Sequence, residues 1–232
     1  MEAFRKIDTW VFDLDNTLYP RHCDLFSQID ILMTDYVSNL TGLERVDARK
    51  LQKDLYRDYG TTLRGLMETR DIDPHDFLDH VHDIDYSQLP QNPGLAAMLS
   101  ALPGRKLIYT NGSMKHAMNT LAALGVSHEI FEAMFDIVAS DFEPKPDPEP
   151  FRKFLDDHDV DGNQAAMFED MPRNLLPAKE SGMTTVLITP KPIGSFKAET
   201  WEKAGAGSDH IDFSTDDLDL FLGDVLRQLE QT

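Results

Sequence analysis

Asp13 and Asp15 stand two residues apart, directly after the uncharged, β-prone run Thr9-Trp10-Val11-Phe12. A buried strand that ends in carboxylates presents them at its C-terminal end, the edge where open α/β sheets bind ligands. Two later apolar runs end in the same manner. Lys106–Tyr109 runs into Thr110, Asn111 and Gly112, and Ala165–Phe168 runs into Glu169 and Asp170. Between them, a proline-stiffened acidic loop, Asp141–Pro148, holds a single lysine, Lys145. If these strands lie parallel in one sheet, all of these groups emerge on one edge and can converge.

Charge decides what else such a site needs. Asp13, Asp15, Glu169 and Asp170 bring four negative charges against the single positive charge of Lys145. Carboxylates that close cannot all stay ionised unaided. A hard divalent cation such as Mg²⁺ prefers carboxylate, carbonyl and water oxygens and would supply the missing charge. The site stays net negative even then, so one carboxyl should hold a proton, as a general acid must. Phosphoryl transfer uses every part. One aspartate attacks phosphorus and the other protonates the leaving oxygen. Thr110 and the backbone amides near Asn111 cradle phosphate oxygens, while Lys145 and the cation neutralise developing charge. A calcium loop is the rival reading of Asp-x-Asp, but Thr17 and Leu18 occupy positions where an EF-hand wants an oxygen ligand and a glycine.

The elements that position these groups are of two kinds. From about Asp24 to Leu89 the apolar residues recur at helical spacing: Leu25, Ile29, Leu32, Tyr36 and Leu40, then Leu51, Leu55 and Tyr59, then Leu63, Leu66 and Met67. Asp73-Pro74 opens a fourth helix with a cap and a first-turn proline. Beyond Asn92-Pro93 strands and helices alternate. Further strands are expected at Phe135–Val138, Thr184–Ile188 and His210–Phe213, and a last helix over Leu218–Leu229. Repeated strand–helix units imply a doubly wound parallel sheet of the α/β class, Rossmann-like, covered on both faces. The all-helical block lies between the first two strands and reads as an insertion. Residues 1–17 and 92–232 would form the core and 18–91 the inserted cap. His75, His80 and His82 lie in an acidic stretch that reads as a solvated helix face, and His116 falls in the first turns of an expected surface helix.

The 232 residues carry 41 acidic and 22 basic side chains, a net charge of −19. That surface repels a phosphate backbone and an anionic bilayer, which excludes a nucleic acid polymer or a membrane as general partner. Cys23 is the only cysteine, so neither an internal disulfide nor a cysteine-based zinc site can form. No apolar run nears the ~20 residues of a membrane span. The expectation is a soluble cytoplasmic protein, monomer or homodimer, whose partner is a small phosphorylated metabolite.

The motifs DLDNTLYP, TNG, KPDPEPF and FEDMPRN resemble, in order, the four motifs of the haloacid dehalogenase (HAD) superfamily. The chain is most similar to the branch with a helical cap inserted after the first motif. The segment YRDYGTTLRGL, Tyr56–Leu66, is closer still to the pyrimidine 5′-nucleotidase-like branch. The resemblance implies that Asp13 is the nucleophile that becomes an aspartyl-phosphate and that Asp15 is the acid, then the base. It implies Mg²⁺ held by the Asp13 carboxylate, the Asp15 backbone carbonyl and Asp170, with Glu169 as a further metal residue, and phosphate held by Thr110, Asn111, Gly112 and Lys145. Asn16 stands where many relatives carry glycine, and Glu169 replaces an aspartate. Within the cap, Tyr56, Thr61, Thr62 and Arg64 suit a flat, hydrogen-bonding base, with Arg64 as the expected substrate-binding cation. The implied activity is a Mg²⁺-dependent phosphatase, most similar to a pyrimidine 5′-nucleotidase acting on UMP- or CMP-like esters. Alternatives on the same scaffold are a phosphosugar phosphatase, a phosphomutase and a haloacid dehalogenase. The non-enzyme alternative is a metal- or phosphate-binding regulatory module.

Overall fold

In the computed structural model, which describes residues 2–191 and 207–231, Thr9–Phe12 forms strand β1, buried on both faces. It is followed in the chain by β2 (Arg105–Tyr109), β3 (Ala133–Phe135), β4 (Ala165–Glu169), β5 (Thr184–Ile188) and β6 (Phe213–Thr215). All pairings are parallel and the spatial order is β3-β2-β1-β4-β5-β6. Thr9 of β1 is in register with Arg105 on one side and Ala165 on the other. The strand order therefore reverses at β1, and a crevice forms at the carboxyl ends of β1 and β4, where such sheets take ligands.

Between β1 and β2 the chain forms four helices, α1 (Leu25–Thr41), α2 (Arg45–Tyr59), α3 (Thr62–Thr69) and α4 (Pro74–Val81). They bury a hydrophobic cluster of their own, including Val37, Leu55, Leu66 and Phe77. Gly65 of α3 lies against α2 so closely that a Cβ would sit 2.8 Å from Leu55.

Side-chain alternation divides the core of the sheet into two layers. Trp10 and Phe12 point to the face that also buries Phe4, Leu95, Leu121 and Leu222. Val11 points the other way, among Leu107, Tyr109, Phe154 and Met167. Helices α5 (Pro93–Ala101), α6 (Met114–Leu124), α7 (Pro148–Asp157), α8 (Leu176–Glu180) and α9 (Leu218–Glu230) complete the α/β core. Their ends follow the sequence signals. Asn92 caps the Leu95 amide at 3.0 Å, and α6 stops at Gly125, whose φ of +71° is left-handed.

Two expected strands lie elsewhere. The third begins at Ala133 and ends at Phe135, not at Val138. The Asp136 carboxylate accepts hydrogen bonds from the amides of Met114 and Ala139, and this turns the chain off the sheet. The sixth begins at Phe213, because the Asp212 carboxylate accepts from the Thr185 amide and fixes the residues before it in a turn. No helix among the described residues is long and apolar enough to cross a membrane.

Candidate active site

Asp13 follows β1 directly, and its amide still donates to the Phe168 carbonyl of β4 at 2.9 Å. The chain then turns sharply. Asn16 takes a φ of +62°, a left-handed conformation that asparagine tolerates and that explains why it can stand where relatives use glycine. This turn aims Asp13 and Asp15 into one cavity of about 130 Å³, lined also by Thr110, Asn111, Gly112, Lys145, Glu169 and Asp170. The residues from four separate chain segments therefore meet at one sheet edge. A larger cavity of about 340 Å³ opens on the far side of Arg21 and Asp170 but includes neither Asp13 nor Asp15.

Lys145 is the electrostatic centre. Only 3% exposed, it donates from Nζ to Asp13 Oδ1 at 2.7 Å, to Glu169 Oε2 at 2.7 Å and to the Tyr109 carbonyl at 2.9 Å. Burial alone would depress an ammonium, but the Asp13 and Glu169 carboxylates outweigh it and hold Lys145 well above the usual lysine range. Its backbone is fixed as well, since its amide donates to Asn111 Oδ1 at 2.9 Å. Thr110 accepts from the Gly112 amide at 2.9 Å, which shapes the turn beneath the cavity. Any side chain at Gly112 would crowd it: a Cβ there would lie 3.0 Å from His116 and 3.3 Å from Thr110 Oγ1.

The carboxylates outnumber the cations. Burial and the neighbouring Glu169 raise the Asp13 pKa to about 7, against the pull of Lys145. Burial, Glu169 and Asp13 likewise push Asp170 well above the usual carboxylate range, although Arg21 lies 3.2 Å away. Oxygens of Asp13, Glu169 and Asp170 all lie within 4.8 Å of one another. Three crowded hard oxygen donors whose charges are undercompensated fit a divalent cation such as Mg²⁺. Among the described residues this is the only such cluster, and the acidic stretch with His75, His80 and His82 forms none.

Asp15 differs from Asp13. Burial would raise it, but His116 and the hydrogen bonds from His116 and Tyr19 prevail and lower its pKa to about 2. Its Oδ1 is taken by Tyr19 and His116 and its carboxylate is not part of the Asp13–Glu169–Asp170 cluster, which leaves the backbone carbonyl for the metal role expected of it.

Arg64 does not join this site. Its guanidinium pairs with Glu68 at 2.7 Å and with Glu143 at 2.8 Å, and it lines a separate surface groove with Gly60 and Pro144. The neighbouring Gly65 packs on α2, where a Cβ would meet Leu55 at 2.8 Å, while Arg64 reaches across to Glu143. Tyr56, Thr61 and Thr62 do line the cavity, joined by Gln52 and Lys53 and by an apolar wall that includes Phe26, Ile29, Met33 and Phe77.

Several neighbours of the site were not singled out in the sequence. Tyr19 lies within the first motif and Arg21 directly after it, so neither could be separated from the turn that the motif makes. His116 is wholly buried, contrary to the surface position expected for it, and His82 is buried too. Helical spacing carried that signal: His116 shares the buried stripe of α6 with Ala117, Thr120, Leu121 and Leu124.

The chain is similar to several known proteins. The chain is 34% identical over 102 residues to phosphoglycolate phosphatase of Rhodospirillum rubrum, covering 42% of this chain and 41% of that protein. It is 29% identical over 168 residues to phosphate metabolism protein 8 of Saccharomyces cerevisiae, covering 63% of this chain and 50% of that protein. The chain thus spans about half the length, or less, of the curated relatives it matches. A crystal structure of a HAD phosphatase from Thermococcus onnurineus shares the fold with a TM-score of 0.63 at 18% identity, over 96% of this chain and 98% of that one. The family profile of the haloacid dehalogenase-like hydrolases matches residues 7–182, and the chain belongs to that family.

Proposed function

We propose that this chain is a Mg²⁺-dependent phosphatase that hydrolyses small phosphate monoesters through an aspartyl-phosphate on Asp13, with pyrimidine nucleoside monophosphates as its preferred substrates. The observation that carries the reading is the Asp13–Lys145–Glu169 arrangement beneath the helical insertion, with a second aspartate two residues on. Asp13 Oδ1 faces the cavity beside the buried Lys145 ammonium, and attack on phosphorus from a carboxylate so placed transfers the phosphoryl group to it. Lys145, Thr110 and the amides of the Asn111–Gly112 turn hold the phosphate oxygens as charge develops on them. Asp15, ionised in the ligand-free site, would take up a proton as the phosphate dianion binds beside it, give that proton to the departing oxygen and then accept one from the water that cleaves the acyl phosphate. Asp13, Glu169 and Asp170 would hold Mg²⁺, which when bound supplies positive charge to the phosphoryl oxygens.

The leaving group meets the helical insertion. Tyr56, Thr61 and the Asp30–Lys53 pair line the cavity there together with the apolar Phe26, Ile29, Met33 and Phe77, a mixed lining that supports a flat, hydrogen-bonding base as the leaving group. Asp15 and Asp170 favour phosphate chemistry over dehalogenation, which shares the nucleophile but requires neither a general acid nor a metal site. A phosphate-release screen over nucleotides, sugar phosphates and phosphorylated acids, with and without EDTA, tests the proposal. Turnover of UMP and CMP above the other classes, abolished by EDTA, is expected. Metal-independent turnover, or a preference for sugar phosphates, would overturn it.

A further inference from the structure

The two carboxyl oxygens of Asp15 are treated differently by the fold. Oδ1 accepts from the Tyr19 hydroxyl at 2.5 Å and is bonded to His116 Nε2 at 2.8 Å. Oδ2 has no hydrogen-bond partner among the described residues, and a Cβ at Gly112 would approach it to 3.6 Å. The Asp15 side chain keeps 18% of its surface open, and it lines the cavity with Asp13. Two hydrogen bonds on one oxygen fix the plane of the carboxyl group and leave the other oxygen to face a ligand.

His116 is itself held from three sides. Its Nδ1 meets the Tyr86 hydroxyl at 2.9 Å, and that hydroxyl donates to the His82 carbonyl at 3.2 Å. Its ring stacks on that of His82, with centroids 4.4 Å apart and planes 11° from parallel. His82 Nδ1 in turn meets Ser113 Oγ at 3.0 Å, the same hydroxyl that caps the His116 amide. His82 ends α4 and Tyr86 lies in the return to the core, so the anchors come from the helical insertion while Asp15 belongs to the sheet edge. The apolar stripe of Ala117 and Leu121 that His116 shares does not itself call for an imidazole. Burying two ring nitrogens is tolerable only because both are hydrogen-bonded.

We propose that His116 is a positioning residue for Asp15: with Tyr19 it pins Oδ1, and so turns Oδ2 toward the leaving oxygen of the substrate. The inference rests on the reading of Asp15 as the general acid. A misplaced acid matters most when the leaving alcohol is poor, because a good leaving group departs without a proton. The quantity kcat/KM covers the steps up to loss of the alcohol and therefore isolates this proton transfer from later hydrolysis.

The test compares kcat/KM for 4-nitrophenyl phosphate and for a simple alkyl phosphate in the unmutated enzyme and in His116→Leu, His116→Gln, Tyr86→Phe and Asp15→Asn. In His116→Leu the alkyl ester should lose about 10²-fold more than the nitrophenyl ester, the scale of a misoriented catalytic group. His116→Gln, whose amide can reach Oδ1, should recover part of that ratio, and Tyr86→Phe should show a smaller loss of the same pattern. Inhibition by inorganic phosphate, which Thr110 and Lys145 hold, should persist throughout. Equal losses on both esters in His116→Leu and Tyr86→Phe would reduce His116 to a structural role and overturn the inference. If Asp15→Asn shows the leaving-group dependence and the His116 variants do not, the inference alone fails. If Asp15→Asn shows none, the acid reading of Asp15 fails and takes the inference with it. Should His116→Leu not fold, His116→Gln and Tyr86→Phe decide the matter by the same ratio.

Discussion

Replacing Asp13 with asparagine should abolish turnover and yet stabilise the metal-free protein at neutral pH. In the folded chain burial and Glu169 raise the Asp13 pKa from 3.8 to about 7. The folded state therefore keeps a proton that the unfolded state has lost, and stability falls as pH rises between those two values. At about 1.4 kcal/mol per pH unit, the ionised carboxylate costs the fold roughly 4 kcal/mol above pH 7. The neutral amide of the variant carries no such cost while still offering Lys145 an oxygen to donate to. The chain has a pI near 4.6, so the comparison is best made from pH 5 upward. Between pH 5 and pH 8 the advantage of the variant should widen by roughly 2–3 kcal/mol. That is an upper figure, because Glu169 and Asp170 ionise more readily once position 13 is neutral. For a chain of this size it corresponds to about 4–12 °C in Tm. Thermal melts of both proteins in EDTA at the two pH values measure it. An Asp13→Asn penalty that is the same at pH 5 and pH 8, or larger at pH 8, would mean that Lys145 compensates Asp13 fully and would refute the reasoning.

Two further outcomes follow from the same charges. Mg²⁺ should raise the stability of the unmutated protein at pH 8, by ~2.7 kcal/mol at a hundredfold excess over its Kd, and Asp170→Ala should weaken that response; a melt indifferent to both Mg²⁺ and EDTA contradicts the metal assignment. Arg64→Ala should cost no more than about 1 kcal/mol, as partly exposed ion pairs do, and should leave the ratio of kcat/KM for UMP and 4-nitrophenyl phosphate unchanged; a selective rise in KM for UMP would place Arg64 in the site after all.

The residues that the sequence marks at the ends of its apolar runs do gather in space, and the reason is topological. A parallel sheet sends every strand's carboxyl end to one edge, so Asp13, Thr110 and Glu169 needed only the right strand assignments to be brought together. Lys145 was legible because prolines pin it in an otherwise acidic loop. Side chains whose direction depends on helix rotation were not legible in that way. Arg64 reaches Glu143 while Gly65 faces Leu55, and no local pattern in Tyr56–Leu66 states which neighbour that glycine meets. His116 sits in a buried stripe that its own polarity disguises, since the partners that make its burial tolerable lie 30 and 101 residues away. Strand ends shifted where aspartate side chains captured backbone amides, as at Asp136 and Asp212, a competition that hydrophobic periodicity does not register.

The helical insertion encloses its own apolar cluster, and the sheet contributes to it mainly through the loop bearing Ile137, Val138 and Phe142. That gives the molecule a modular seam. The groups that would handle the phosphoryl moiety belong to one packing unit and most of those facing the leaving group to another, so selection can reshape the second without disturbing the first. A graft of a different insertion onto this sheet has few demands to meet: two chain crossings at one edge, a surface matched to the Ile137–Phe142 loop, and partners for His116 equivalent to His82 and Tyr86. New substrate ranges on this scaffold are thus reachable by exchange of a part rather than by rebuilding the whole.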